Sequence, residues 1–185
     1  MELNDLERQA IKSWTSPDGY QYRYIKGILR GDYDGILKSI YEPQAKALVE
    51  LFKKYPDNTN NQILYRGDIL EDKFNKLSKK DIYEQYLLNN PIGKTIILED
   101  TILSFTFSKD IAISSYTNSD KNKTNNRPTI LYVLKNRKSV FLDISKFSEL
   151  PHEQEVLCNQ GIKFKVVNIE KKDNYHLLYF LEEVL

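Results

Sequence analysis

Two periodicities divide this chain, and their order restricts the fold more than any other feature. In the first third, apolar residues recur every three or four positions, the spacing that buries one face of a helix. Leu3, Leu6, Ala10, Ile11 and Trp14 form the first such row, which Ser16-Pro17-Asp18-Gly19 interrupts. Residues 20–29 form the second, with Tyr22, Ile25 and Leu29 on one face and Gly31 as its stop. Residues 36–52 form the third through Ile36, Leu37, Ile40, Ala47, Leu48, Leu51 and Phe52, closed by Pro56 and Asp57-Asn58. The pattern then changes. Residues 63–67 read as a short strand ending in Gly, and residues 78–88 as a helix with Ser78 as N-cap. Residues 95–106 are β-branched and alternate in parts, and residues 109–116 fit a short helix. Four strand-like runs follow, at 129–134, 140–143, 163–169 and 176–181. Helices first and strands later, without regular alternation, predict an α+β domain rather than a doubly wound sheet. A length of 185 residues predicts one domain, 1–185, able to bury a core without staples.

Charge and special residues narrow the function classes. The net charge is +1, which lacks the basic footprint of a nucleic-acid binder. No cationic amphipathic helix and no run of 18 apolar residues occurs, so no membrane role is expected. One cysteine and two histidines cannot supply a structural zinc site, and no metal is expected. Cys158, between Val156-Leu157 and a polar turn, reads as a small buried hydrophobe, and His152 as loop surface. The opening Met1-Glu2-Leu3-Asn4-Asp5 is polar and acidic, unlike a secretory signal. The Asn-, Lys- and Thr-rich stretch 117–127 reads as an exposed loop.

Three short segments could carry chemistry: Tyr65-Arg66-Gly67, Ser104-Phe105-Thr106 and Glu153-Gln154-Glu155. Singly, each has a plain reading. Arg66 at a strand end suits a surface ion pair, or a guanidinium fork for a phosphate. Ser104 and Thr106 suit the polar face of a half-buried strand. Glu153 and Glu155 on a strand would share one face. That suits a solvated edge, or a cleft in which one carboxylate ionises more readily than the other.

Their order is more informative. Arg, then Ser-x-Thr, then Glu-x-Glu, after a helical first third, resembles the arginine-serine-glutamate class of mono-ADP-ribosyltransferases. The middle segment continues as Ser108-Lys109-Asp110-Ile111-Ala112, and the last as Val156-Leu157 and then Gly161-Ile162-Lys163-Phe164-Lys165-Val166. A fourth segment resembles the toxin-type members: Trp14-Thr15, then Tyr22-Arg23-Tyr24-Ile25-Lys26-Gly27-Ile28-Leu29-Arg30-Gly31. Phe105 and Thr106 depart from the family's Thr and Ser, and Lys26 stands where Asn is common. Phe105 should point away from the polar face.

The resemblance implies an ADP-ribosyltransferase-like fold, with the helical third packed on two mainly antiparallel sheets that flank an NAD cleft. It implies transfer of ADP-ribose from NAD+, as co-substrate, to an arginine of a target protein. Glu155 would stabilise the positive charge that develops on the ribose, Ser104 would hold Glu155, and Arg66 would clamp a phosphate. Glu153 would bind the acceptor guanidinium, with Phe147 contacting the target. Tyr65, Gly67, Phe105, Thr106, Tyr22 and Tyr116 would complete the NAD+ contacts. The implied setting is a monomeric toxin, effector or phage enzyme delivered to a target-cell cytoplasm, guarded in its producer by an inhibitor or immunity protein. NAD+ glycohydrolysis, a nucleic-acid or other non-arginine acceptor, and a catalytically dead binding module are the competing expectations.

Overall fold

The computed structural model describes residues 1–71, 76–99, 101–117, 127–172 and 175–184, the side chains of 115–117 excepted. Most of the polar stretch 117–127 lies outside the described residues. The elements are α1 (Asp5–Trp14), α2 (Tyr20–Arg30), α3 (Gly35–Lys54), β1 (Leu64–Ile69), α4 (Lys79–Asn89), β2 (Thr95–Ile96), β3 (Leu103–Thr106), α5 (Lys109–Thr117), β4 (Thr129–Asn136), β5 (Phe141–Asp143), β6 (Glu155–Cys158), β7 (Lys163–Lys172) and β8 (His176–Val184). The fold is α+β. The chain divides into two compact units, one of Met1–Asn60, Glu99–Ser104 and Ser139–Ile162, the other of Asn61–Leu98, Phe105–Lys138 and Lys163–Leu185.

In the first unit, helix ends follow local chemistry. Asn4 Oδ1 accepts from the Glu7 N–H at 2.9 Å, and Glu7 Oε2 accepts from the Asn4 N–H at 2.8 Å, a reciprocal cap on α1. Gly19 and Gly31 bound α2 at φ 67° and 80°, where a Cβ would be strained. The buried row on α3 starts later than the spacing predicts. Ile36 and Ile40 are 78% and 51% exposed, and continuous burial begins at Gln44 and Ala45. The core of this unit gathers Ile11 and Trp14 from α1, Ile25 from α2, Leu48 and Leu51 from α3, and Leu142 and Leu157 from the antiparallel β5–β6 pair. The Asp57 and Asn58 carboxylate and amide, expected only to close α3, cover the outer edge of β5. Phe141 N–H donates to Asp57 Oδ2 at 3.0 Å, and Asp143 N–H donates to Asn58 Oδ1 at 2.7 Å.

Glu7 ties two of these helices together. Lys54 Nζ on α3 lies 2.9 and 3.1 Å from its two oxygens. Burial alone would hold the Glu7 carboxyl up, but the Lys54 ammonium and the Asn4 N–H outweigh it and depress its pKa below 4.5. A depressed carboxyl stabilises the fold above its unfolded value and stops doing so as pH falls through the folded one. Glu7→Gln keeps the cap but not the charge. It is expected to lower the melting temperature by roughly 2–4 °C at pH 7, with the difference from wild type closing as pH falls below 4.5. Thermal unfolding followed by circular dichroism at several pH values checks this. A difference unchanged at pH 3 would remove the charge from the explanation.

In the second unit the strands lie in the order β2-β7-β8-β4-β1, followed by the end of β3. Pairing is antiparallel except for β4 and β8, which run parallel. β4 is buried along its first six residues, so it reads as an unbroken apolar run. Within the β-branched 95–106 stretch, the parts that form strands are β2 and β3. Phe105 is 3% exposed and meets the Phe164 ring edge-on at 6.2 Å, so its side chain is packed within this unit. Ser78 caps α4 reciprocally with Asp81.

Candidate active site

The last of the three motifs is not one strand. Pro151 sets the first φ of a 3-10 turn, Pro151–Glu153, and Gln154 leaves that turn at φ 51°. β6 therefore begins at Glu155. Glu153 and Glu155 do not share a strand face, as a period of two had predicted; a turn residue and a strand residue carry them. Both side chains are half-buried.

Glu155 is held from two sides. Ser104 Oγ on β3 donates to Glu155 Oε1 at 2.5 Å, and Trp14 Nε1, in the last turn of α1, donates to the same oxygen at 2.9 Å. Trp14 Nε1 also lies 3.2 Å from Ser104 Oγ. Two donors on one carboxylate oxygen fix its direction, and hydrogen bonds to a charged acceptor are the strong ones. Behind Trp14, the Tyr22 ring stands edge-on at 4.7 Å. The Tyr22 hydroxyl accepts from Lys26 Nζ at 2.8 Å, and Lys26 is ion-paired with Glu99. Tyr20, Tyr22 and Tyr24 occupy three different surroundings: Tyr20 is 62% exposed, and Tyr24 stacks on Tyr41 at 5.1 Å. They form no stacking stripe.

The loop before Glu153 is pinned to α1. Thr15 Oγ1 donates to Ile11 O at 2.9 Å and accepts the Glu149 N–H at 2.9 Å. Phe147 is half-buried against the core of this unit, with the Arg8 guanidinium 5.6 Å from its ring centre. The Trp14-Thr15 pair thus has two tasks. Trp14 reaches Glu155, and Thr15 anchors the loop that precedes it.

The first motif lies in the second unit. Arg66 is central in β1, and its Nε donates to Asp68 Oδ2 at 3.0 Å. Its side chain is 18% exposed. Asp68 was not singled out in the sequence; its position two residues on, on the same strand face, is the signal that would have found it. Tyr132, opposite Arg66 on β4, shares a 2.5 Å hydroxyl contact with Tyr86. Burial pushes the Tyr86 hydroxyl up to about 12 and the Tyr132 hydroxyl well above its usual value, so both stay protonated at neutral pH. Tyr65 pairs with Thr106 on β3, and Gly67 with Leu131 on β4. Thr106 Oγ1 accepts the Ser108 N–H at 3.1 Å, and Ser108 Oγ accepts the Ile111 N–H at 3.3 Å, which builds the start of α5. Tyr116 belongs to α5, but its side chain lies outside the described residues.

Cys158 is fully buried, and His152 is exposed. Among the described residues, no three His, Cys, Asp or Glu side chains gather as metal ligands. Among them also, no helix is long and apolar enough to cross a membrane.

No known family matches the sequence, and no curated protein matches it. Solved structures do. The ADP-ribosyltransferase Vis, a toxin of Vibrio splendidus solved in complex with agmatine, superposes with a TM-score of 0.72 at 17% identity, over 98% of this chain and 75% of that one. The fold is that of the ADP-ribosyltransferase toxins. An ADP-ribosyltransferase from Clostridium botulinum matches with a TM-score of 0.65 at 19% identity, over 98% of this chain and 87% of that one. An ADP-ribosyltransferase toxin from Paenibacillus larvae matches at 0.67 and 15% identity, over 99% and 88%. The ADP-ribosyltransferase fold accounts for the helical N-terminal region followed by a sheet core, which the order of periodicities already implied.

Proposed function

We propose that residues 1–185 act as one catalytic domain, a mono-ADP-ribosyltransferase that moves ADP-ribose from NAD+ to an arginine side chain of a target protein. One observation carries this reading above the others: Glu155 is aimed by the Ser104 hydroxyl at 2.5 Å, in a chain whose fold is shared with ADP-ribosyltransferase toxins. The arginine acceptor draws support from Glu153 beside it, and from agmatine, a free guanidine, bound to Vis.

The chemistry asks little of the protein beyond placed charge. The bond between nicotinamide and ribose C1′ breaks, nicotinamide leaves as a neutral base, and positive charge grows on the ribose ring. Glu155 stabilises that charge more than it stabilises the ground state. Arg66, oriented by Asp68, takes a phosphate of NAD+. Glu153 binds the acceptor guanidinium, which has a pKa above ~12 and attacks poorly until a proton is lost. As a guanidine nitrogen bonds to C1′, its proton passes to Glu153. Tyr22, Tyr65, Gly67, Thr106 and Tyr116, with the backbone of Phe105, are assigned to NAD+ contacts and Phe147 to the target. The setting proposed is a monomeric toxin or effector delivered to a target-cell cytoplasm, with an inhibitor protein in the producing cell.

Incubation with NAD+ and agmatine tests the reading, with nicotinamide release and ADP-ribosyl-agmatine measured together. Both products are expected. Nicotinamide alone would identify water as the acceptor, and no consumption of NAD+ would remove the enzyme reading.

A further inference from the structure

We propose that Trp14 is a positioning residue for Glu155, holding its carboxylate through the indole N–H; this rests on the reaction proposed above. The chain has a single tryptophan, and it is 2% exposed. A buried indole needs one acceptor for its one donor. Here the acceptors are Glu155 Oε1 at 2.9 Å and Ser104 Oγ at 3.2 Å, and Ser104 in turn donates to the same Glu155 oxygen at 2.5 Å. Three side chains from α1, β3 and β6 thus close a triangle. Ser104 brings a rotatable hydroxyl, and Trp14 a rigid ring whose donor has one direction.

The ring itself is braced. Tyr22 meets it edge-on at 79°, and Lys26 Nζ lies 4.9 Å from the Tyr22 ring centre while donating to its hydroxyl. Lys26 is 9% exposed and ion-paired with Glu99. A buried ammonium so paired has few ways to move, so Tyr22 and then Trp14 inherit a fixed position. A tryptophan placed for packing alone would need neither the carboxylate partner nor this brace.

Because the tryptophan is single, ¹⁵N-labelled protein gives one indole N–H resonance, which reads the contact without NAD+. In wild type it is expected downfield, as for donation to a carboxylate, and Glu155→Gln is expected to move it upfield. Replacing Trp14 with β-(3-benzothienyl)alanine, which has sulfur in place of N–H, keeps the shape and removes the donor. That variant is expected to lose about 10- to 100-fold in kcat, as misplaced catalytic groups do, with KM for NAD+ nearly unchanged. Trp14→Phe, which keeps an aromatic face for Tyr22, is expected to show the same split. An indole resonance indifferent to Glu155→Gln, or full kcat in the isostere, would overturn the positioning role. Lack of NAD+ turnover in wild type would instead overturn the proposed reaction, and the resonance tells the two failures apart.

Discussion

Glu155→Gln is expected to lower both NAD+ hydrolysis and transfer to agmatine by on the order of 10²–10³-fold, about 3–4 kcal/mol of barrier. The substitution isolates charge from shape. The amide oxygen of Gln can still accept from Ser104 Oγ and Trp14 Nε1, which reach Glu155 Oε1 at 2.5 and 2.9 Å. The β6 start, the core beneath it and the hydrogen bonds therefore persist, and the lost quantity is the negative charge beside the ribose. Both activities should fall together, because the charge acts on the bond that breaks and not on the acceptor. Nicotinamide release with and without agmatine measures this, and circular dichroism confirms that the variant folds. Activity within tenfold of wild type would remove Glu155 from the chemistry.

Glu153→Gln is expected to separate the two activities. Transfer to agmatine should fall about 10- to 100-fold, the loss of a hydrogen-bonded contact between charged groups, while hydrolysis stays close to wild type. The separation follows from where the turn places the residue. Glu153 ends a 3-10 turn, and Gln154, at φ 51°, sets its backbone apart from that of Glu155. One carboxylate can then be changed without moving the other. Gln remains a good size match but presents a neutral amide, which neither draws a guanidinium nor accepts its proton. Transfer at full rate in this variant would show that Glu153 has no part in acceptor binding.

The helical third was legible because caps and spacing are local. Gly31 and Ser78 bound α2 and α4 where the sequence puts them. The four late strand runs were legible for the same reason, since β-branched and aromatic residues prefer the pleated backbone wherever it lies. β6 was harder. Glu155-Val156-Leu157-Cys158 is too short to show a period, and Glu-x-Glu suggested a continuous strand where Pro151 and Gln154 build a turn.

Side-chain partners were less legible still. Ser104 and Trp14 are 51 and 141 residues from Glu155, and nothing in spacing pairs residues so far apart. Resemblance suggested the first pair and left the second without a role. The exposure of Ile36 and Ile40 was invisible as well, because a repeat of apolar residues shows a face but not which part of it another element covers.

From residues alone come the class of fold, most helix ends and most strands, since caps and periodicities act within a few positions, whereas the choice of candidate site residues came from the resemblance. The direction of the Glu155 carboxylate, the loop anchored at Thr15, the Asp68 partner of Arg66 and the parallel pairing of β4 with β8 come from the folded chain. For the pairing and for the hold on Glu155, segments far apart in sequence must be brought to contact, and a hydrogen bond reaching only about 3 Å depends on where the whole backbone has placed its two ends.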